Sequence, residues 1–301
     1  MKVAVLGPGG VGGLLAGALD AAGHETIVVA REETAAKIAA GGIEIDSVKF
    51  GRFTARPRAV ARLEEPVEAL IVATKAAGME EALERIDVEP PIVLPLLNGL
   101  DHIDVLRRRF PADSVPAGSI RVEADRPEAG VVIHTSPFLL INMASAAPAT
   151  AEPMERLAAV LNEAGVPTRI LDSEPQVMWS KLVRLNALAC TTSAYDKLLG
   201  EIRSTPKLRA DLVGAMQEAA AAGRAEGADV DGDTAIEELE RAHATLGSSM
   251  QRDIAAGREP ELDAIPGSVM RAAARHGLRC PTIERLVATI AERAGVEPPV
   301  V

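Results

Sequence analysis

The first twelve residues constrain the fold of this chain more than any other stretch. An apolar run, Val3–Leu6, ends in glycines spaced as Gly7-x-Gly9-x-x-Gly12, and a segment of small and apolar residues follows. A strand, a tight turn and a helix start, in that order, are the context that a dinucleotide site requires. Gly7 lets the chain turn sharply, Gly9 leaves room for a pyrophosphate, and Gly12 lets the helix pack on the strand. The predicted cofactor loop comprises Gly7, Pro8, Gly9, Gly10, Val11 and Gly12. A glycine-rich turn that binds nothing is the alternative.

The first half of the chain alternates strand-like and helix-like segments. Four continuous apolar runs have strand length: Val3–Leu6, Ile27–Ala30, Leu70–Thr74 and Ile92–Leu97. Such runs between helical segments indicate a buried, mostly parallel sheet of the Rossmann type. We further predict that Val131–Ile133 and Leu139–Ile141 form a β pair, and that Val166–Ile170 is the last strand.

The second half loses its β signal. From about Leu171 the chain is rich in Ala, Glu, Arg and Leu, in long stretches such as 212–227 and 236–256. These residues favour helices, and glycines and prolines punctuate them. A chain of 301 residues fits two domains. We therefore expect an α/β fold in which a Rossmann-like dinucleotide-binding domain, residues 1–170, precedes an all-helical domain, residues 171–301.

Composition narrows the possible partners. The formal net charge of −11 argues against binding to nucleic acid or to an anionic membrane surface. No stretch approaches the roughly 18 apolar residues of a membrane span, and we recognise no signal peptide. The two cysteines lie far apart, and the five histidines show no spacing typical of metal ligands, so no metal site is predicted. A cytoplasmic protein fits these features best.

The residues after the second predicted strand bear on which dinucleotide is bound. A basic residue there accommodates the 2′-phosphate of NADP, whereas an acidic residue accepts a hydrogen bond from the ribose of NAD. Arg31 comes first and favours NADP, but Glu32 and Glu33 follow it directly. The three side chains could also form a solvated surface cluster.

Three further positions are candidates for the chemistry. Lys75 and Asn98 each follow an apolar strand, and ligands of such sheets bind beyond the carboxyl ends of the strands. Lys181 lies in an otherwise apolar helical stretch and would act as a proton donor if it were buried in a cleft. Each position also has a simpler interpretation: Lys75 as a surface lysine, Asn98-Gly99 as a turn, and Lys181 as a lysine that reaches solvent.

Together these motifs resemble the ketopantoate reductase family, the NADPH-dependent 2-dehydropantoate 2-reductases. The resemblance runs along nearly the whole chain and depends on the order and spacing of short motifs. They are the Gly7–Gly12 loop, Thr74-Lys75-Ala76, Asn98-Gly99, Trp179-Ser180-Lys181-Leu182, Gly200-Glu201-Ile202, Ser248-Ser249-Met250-Gln251-Arg252-Asp253, Glu261-Leu262-Asp263, Gly267 and Pro281.

The resemblance implies a mechanism in which hydride passes from NADPH to the ketone carbon of a small 2-oxo acid. It implies that Lys181 protonates the carbonyl oxygen, that Glu261 is the carboxylate near the cofactor and the reacting group, and that Asn98 lies beside both. It also implies that Lys75 and Ala124 lie near the cofactor and that Ser249 binds the substrate carboxylate. Members of this family often form homodimers.

The chain departs from the family at two positions. Ketopantoate-specific members carry asparagines four and eight residues after the catalytic lysine, where this chain has Leu185 and Ala189. Asn186 is one residue too late to share that helix face. Since losing hydrogen-bond partners for a substrate removes discrimination, a more apolar 2-oxo acid or ketone competes with ketopantoate as the substrate. The alternatives are a related hydroxy acid dehydrogenase and a non-catalytic NADP-binding sensor.

Overall fold

The computed structural model describes all 301 residues, which form two compact units. The first unit comprises Met1–Leu97 with His102–Val177, and the second comprises Asn98–Asp101 with Met178–Val301. The domain boundary between residues 170 and 171 stays a prediction.

The first unit holds twelve strands and five helices. In chain order the strands are β1 (Lys2–Leu6), β2 (Glu25–Val29), β3 (Ile43–Ser47), β4 (Gly51–Ala55), β5 (Arg58–Val60), β6 (Ala69–Val72), β7 (Val93–Pro95), β8 (Ala117–Arg121), β9 (Ala124–Asp125), β10 (Val131–His134), β11 (Leu140–Ala144) and β12 (Thr168–Ile170). The helices are α1 (Gly10–Ala21), α2 (Glu32–Gly41), α3 (Met79–Leu83), α4 (His102–Arg109) and α5 (Ala151–Glu163).

A five-stranded parallel sheet in the order β5-β2-β1-β6-β7 forms the centre of this unit. Alternate residues of its central strand β1 face opposite sides, as the pleat requires. Val3 and Val5 pack in a core with residues of α1 and α5, whereas Ala4 and Leu6 pack in a second core with residues of α3 and α4. Burial on both faces explains why the strands are continuously apolar in sequence. The predicted Rossmann-type sheet is confirmed.

The predicted pairing of the two later strands is wrong. β10 pairs with β3 and β9 in a four-stranded sheet, whereas β11 pairs with β8 and β12 in a three-stranded sheet. The segment between them is held by Ser136, which accepts from the backbone N–H of Glu123 and donates to the carbonyl of Phe138. An apolar run shows that a segment is extended, but it does not identify the partner strand.

The second unit is helical, as predicted. Its helices are α6 (Glu174–Tyr195, which enters this unit at Met178), α7 (Leu199–Ser204), α8 (Pro206–Ala225), α9 (Gly232–Arg241), α10 (Ser249–Ala255), α11 (Ser268–Arg275) and α12 (Pro281–Ala294). The stretch 236–256 is interrupted because Ser248 caps a new helix, accepting from the backbone N–H of Gln251 at 3.0 Å. Trp179 of α6 is buried, and a Cβ on Gly223 of α8 would lie 3.0 Å from its ring, so these helices pack closely.

No helix of the structure combines the length and the apolar character needed to cross a membrane.

Candidate active site

The glycine loop joins β1 to α1 within the first unit. Gly7 has φ of +87°, a left-handed conformation that favours glycine, and its N–H donates to the carbonyl of Val29 on the neighbouring strand at 3.1 Å. A Cβ on Gly7 would lie 2.7 Å from Cγ2 of Thr74. A Cβ on Gly12 would collide with the carbonyl oxygen of Gly7. Gly7 and Gly12 are therefore required by the packing of the turn itself.

The middle of the loop differs from its ends. A Cβ on Gly9 would have no neighbour within 4 Å, whereas a Cβ on Gly10 would collide with the carbonyl oxygen of Ala124. Ala124, predicted to lie near the cofactor, is thus packed against the loop through its backbone. Pro8 is buried and Val11 is half-buried. Of the loop glycines, Gly9 is the one that borders open space at the N-terminus of a 12-residue helix.

Gly9 therefore allows binding to be tested separately from folding. We expect Gly9→Ala to leave the melting temperature nearly unchanged, because its φ of −75° is ordinary and its Cβ meets nothing. The same methyl group would occupy the space predicted for a pyrophosphate, so affinity for NADP⁺ should fall by about tenfold or more. Calorimetric titration together with a thermal melt measures both. Unchanged affinity in a normally folded variant would contradict the predicted loop.

Charged side chains after β2 pair with residues of α3 and its C-terminal end. Arg31 lies 3.1 Å from Glu81, and Glu32 lies 2.9 Å from Arg85. The hydrogen bond from Arg85 lowers the pKa of the Glu32 carboxyl below its usual value. Glu33 pairs instead with Lys37 along α2, at 3.3 Å. Glu32 and Glu33 complicate the prediction for NADP, but each is paired with a cation. The partner of Glu32 lies beyond α3, and the partner of Glu33 lies in the same helix.

Lys75 is exposed and lies three residues beyond the end of β6. It stands immediately before a short 3₁₀ turn, Ala76–Gly78. This position agrees with the predicted placement at the carboxyl edge of the sheet.

In the second unit, Lys181, Asn98 and Glu261 form one hydrogen-bonded chain, which we call the amide bridge. Nζ of Lys181 donates to Oδ1 of Asn98 at 2.8 Å, and Nδ2 of Asn98 donates to Oε2 of Glu261 at 3.0 Å. An ammonium only donates and a carboxylate only accepts, so the two partners fix the orientation of the amide. All three side chains are half-buried. The sequence predicted these residues for the chemistry, but it did not predict that the amide stands between the two charges.

Gly99 brings Asn98 to this position. It has φ of +85°, and a Cβ there would collide with the carbonyl oxygen of Ala264, three residues after Glu261. The turn that carries Asn98 therefore lies directly against the segment that follows Glu261. The Asn98-Gly99 dipeptide indicates a turn in the sequence, but it does not indicate the close approach to Ala264.

Arg271 of α11 fastens the same two segments together. It donates to Oδ2 of Asp101 at 2.6 and 3.2 Å, and to the side chain and carbonyl of Asp263 at 2.7 and 3.0 Å. A further bond, at 3.0 Å, goes to the carbonyl of Val300. Burial acts to lower the pKa of Arg271, but the bonds to Asp263 and Asp101 outweigh it and raise that pKa. Nothing in the sequence distinguishes Arg271 from other arginines on helices.

The remaining predicted substrate residues lie on α6 and α10. Leu185 is half-buried and about 40° around the helix from Lys181, so the two share a face. Ala189 is fully buried. Asn186 is also fully buried, and its Oδ1 accepts from the thiol of Cys190 at 3.6 Å on a different side of the helix. Asn186 therefore does not replace the missing asparagines. Ser249 is half-buried and begins α10.

A Rossmann-type sheet with a glycine loop, followed in the same chain by a helical unit, is typical of dinucleotide-dependent oxidoreductases. Within this class the chain belongs to the ketopantoate reductase family. The model described as "Ketopantoate reductase PanE/ApbA" matches residues 3–145, and the model of the C-terminal region of the same family matches residues 175–294. The protein is accordingly an oxidoreductase that binds a nicotinamide cofactor.

Individual relatives cover nearly the whole chain. A 2-dehydropantoate 2-reductase of Mycobacterium tuberculosis is 30% identical over 311 residues, which cover 96% of each protein. The crystal structure of a 2-dehydropantoate 2-reductase from Geobacter metallireducens has a TM-score of 0.88 and 25% identity, covering 97% of this chain and 99% of that one. A D-mandelate dehydrogenase in complex with NADH and anilino(oxo)acetate has a TM-score of 0.89 at 21% identity, covering 98% of this chain and 99% of its own, and shares the fold.

Proposed function

We propose that the protein uses NADPH to reduce the keto group of a 2-oxo acid, with Lys181 as the proton donor. The observation that carries this proposal is the amide bridge, in which Asn98 orients the Lys181 ammonium through a 2.8 Å hydrogen bond. A carbonyl oxygen gains negative charge as hydride reaches its carbon, and a preorganised ammonium stabilises that charge. A protein that only binds a dinucleotide needs no such arrangement.

The glycine loop fits the phosphates of the cofactor. Gly9 leaves open space where the first N–H groups of α1 begin, and helix N-termini favour anions. Arg31, two residues after the end of β2, supports NADP over NAD because a basic residue there accommodates the 2′-phosphate. When bound, the nicotinamide supplies the hydride that forms the new C–H bond.

The residues of the amide bridge then have distinct tasks. Lys181 transfers a proton from Nζ to the carbonyl oxygen, which becomes the hydroxyl of a 2-hydroxy acid, and regains a proton from water. Asn98 accepts from Lys181 and donates to Glu261, so its amide holds the ammonium in place. Glu261 fixes the orientation of that amide. Ser249 is the proposed partner of the substrate carboxylate.

The surface beside Lys181 supports an apolar substrate. Leu185 presents an aliphatic side chain one helical turn from Lys181, whereas Ala189 is fully buried and adds no polar group to this surface. A hydroxylated substrate such as ketopantoate would meet no polar partner at Leu185, whereas an alkyl or aryl group would be favoured. We therefore propose that an apolar 2-oxo acid is reduced in preference to ketopantoate.

Steady-state oxidation of NADPH by the purified protein tests this function. The substrates are ketopantoate, pyruvate, 2-oxoisovalerate, 2-oxoisocaproate and phenylglyoxylate, each with NADPH and with NADH. Higher kcat/KM for the last three than for ketopantoate supports the proposed substrate class. Robust turnover of ketopantoate above all others would reject that class while keeping the chemistry. Cofactor binding without turnover of any 2-oxo acid would identify a sensor instead.

Leu185 should control this preference. We expect Leu185→Asn to reduce kcat/KM for the best apolar substrate by about tenfold, since an amide replaces aliphatic contact area. The kcat/KM for ketopantoate should rise or stay level in the same variant. The control is Arg184→Gln, because Arg184 is a neighbouring half-buried residue of the same helix. Leu188 is not suitable as a control, since its side chain is buried. An equal loss for both substrates would show that Leu185 does not contact the substrate chain.

A further inference from the structure

Four charged residues form a compact group at the end of β2, which we call the charge quartet. Arg31 and Glu32 are adjacent in sequence. They pair with Glu81 of α3 and with Arg85, which lies two residues beyond the end of that helix. The quartet carries two positive and two negative charges. It lies entirely within the first unit.

The quartet occupies the part of a Rossmann fold that distinguishes NAD from NADP. An acidic residue about 20 residues beyond the glycine loop typically binds the ribose 2′-hydroxyl of NAD. Glu32 stands 20 residues after Gly12 in this chain, while Arg31 carries the opposite charge that suits a 2′-phosphate. The sequence thus contains one residue favouring each cofactor, and the partners of these residues decide between them.

Arg85 is held more firmly than the other arginine of the quartet. Its side chain is 20% exposed, and its Nη1 donates both to Oε1 of Glu32 at 2.9 Å and to the carbonyl of Ala61 at 3.3 Å. The side chain of Arg31 is 70% exposed and pairs with an exposed Glu81. An exposed pair of this kind contributes little, so an incoming phosphate can take Arg31 from Glu81 at small cost.

We propose that Arg85 selects NADP over NAD by pairing with Glu32, which cancels the charge that would repel a 2′-phosphate. Arg85 holds the carboxylate toward the end of β5, while Arg31 remains available for the phosphate. This inference rests on the proposed use of NADPH, and it adds a residue that acts on the cofactor through Glu32. The hydrogen bond from Arg85 also lowers the pKa of the Glu32 carboxyl, as expected for a carboxylate paired with this guanidinium.

A double-mutant cycle on cofactor binding tests the inference without any substrate. Dissociation constants for NADP⁺ and NAD⁺ are measured by calorimetry for the wild type, Arg85→Ala, Glu32→Gln and the double variant. We expect Arg85→Ala to lower the preference for NADP⁺ over NAD⁺ by about fivefold, because Glu32 is released. In the Glu32→Gln background the same substitution should change that preference by less than about twofold.

The control is Arg62→Ala. Arg62 also pairs with a carboxylate, Asp87 at 2.9 Å, and with a backbone carbonyl, that of Glu84, but it does not contact Glu32. Its loss should leave the cofactor preference unchanged. An equal effect of Arg85→Ala in both backgrounds, or no effect in either, would overturn the inference while leaving the proposed reductase function intact. A wild type that binds neither dinucleotide would overturn both.

Discussion

Replacing Lys181 by alanine is expected to lower kcat by about two to four orders of magnitude and to leave the affinity for NADPH nearly unchanged. The ammonium has three donors, one of which is bonded to Asn98, and the proposed reaction takes a proton from the same nitrogen. The glycine loop and the charge quartet, which should determine cofactor affinity, belong to the other unit of the chain. Single-turnover kinetics with the best 2-oxo acid and a titration with NADPH separate the two effects.

Arg184 provides the matched control on the same helix. It is a cation three residues further along α6 and pairs with Glu238 at 3.0 Å. Arg184→Ala also removes a positive charge from α6, but it should keep kcat within about twofold of the wild type, because an ion pair that is accessible to solvent contributes little. Full turnover by the Lys181→Ala variant would rule out Lys181 as the acid.

Gly99→Ala is expected to destabilise the protein and to disable it at the same time. The methyl group would collide with the carbonyl oxygen of Ala264, and the left-handed backbone adds about 1–2 kcal/mol for an L-residue. We expect the free energy of unfolding to fall by about 3 kcal/mol or more. Displacing Asn98 by even about 1 Å would also reduce kcat roughly 100-fold in the fraction that remains folded.

Gly257→Ala separates the collision from the backbone strain. Gly257 lies in the same unit with φ of +67°, but a Cβ there would have no neighbour within 4 Å. Chemical denaturation of both variants should therefore show a loss of about 1–2 kcal/mol for Gly257→Ala and a clearly larger one for Gly99→Ala. Equal losses would mean that the turn carrying Asn98 does not depend on its close approach to Ala264.

The elements that the sequence predicts well are those whose cause is local. The glycine turn requires small residues at fixed offsets, and the parallel strands require continuous apolar runs, so both are visible in a single segment. Strand β4 escapes prediction because it is largely exposed and has no continuous apolar run, and β5 because it is only three residues long. β3 carries an alternation of buried Ile43 and Ile45 with polar residues, which could have revealed it.

The candidate site divides in the same way. Lys181, Asn98 and Glu261 stand in recognisable motifs, so the sequence indicates them individually. Their order in the amide bridge depends on two long-range hydrogen bonds. One joins residues separated by 83 positions in the sequence and the other joins residues separated by 163 positions, so no local pattern encodes them. Arg271 is even harder to predict from the sequence. Its hydrogen bond to Asp101 joins residues separated by 170 positions, and each residue alone resembles any charged surface residue.

The membership of Asn98–Asp101 in the helical unit has a consequence for protein engineering. This tetrapeptide lies in the sequence between segments that belong to the sheet unit. A chimera of two relatives joined near residue 177 would therefore combine the turn of one protein with the C-terminal helices of the other. Asp101 and Arg271 would then come from different parent proteins. We expect functional chimeras to be those in which residues 98–101 and the C-terminal helices are taken from the same parent.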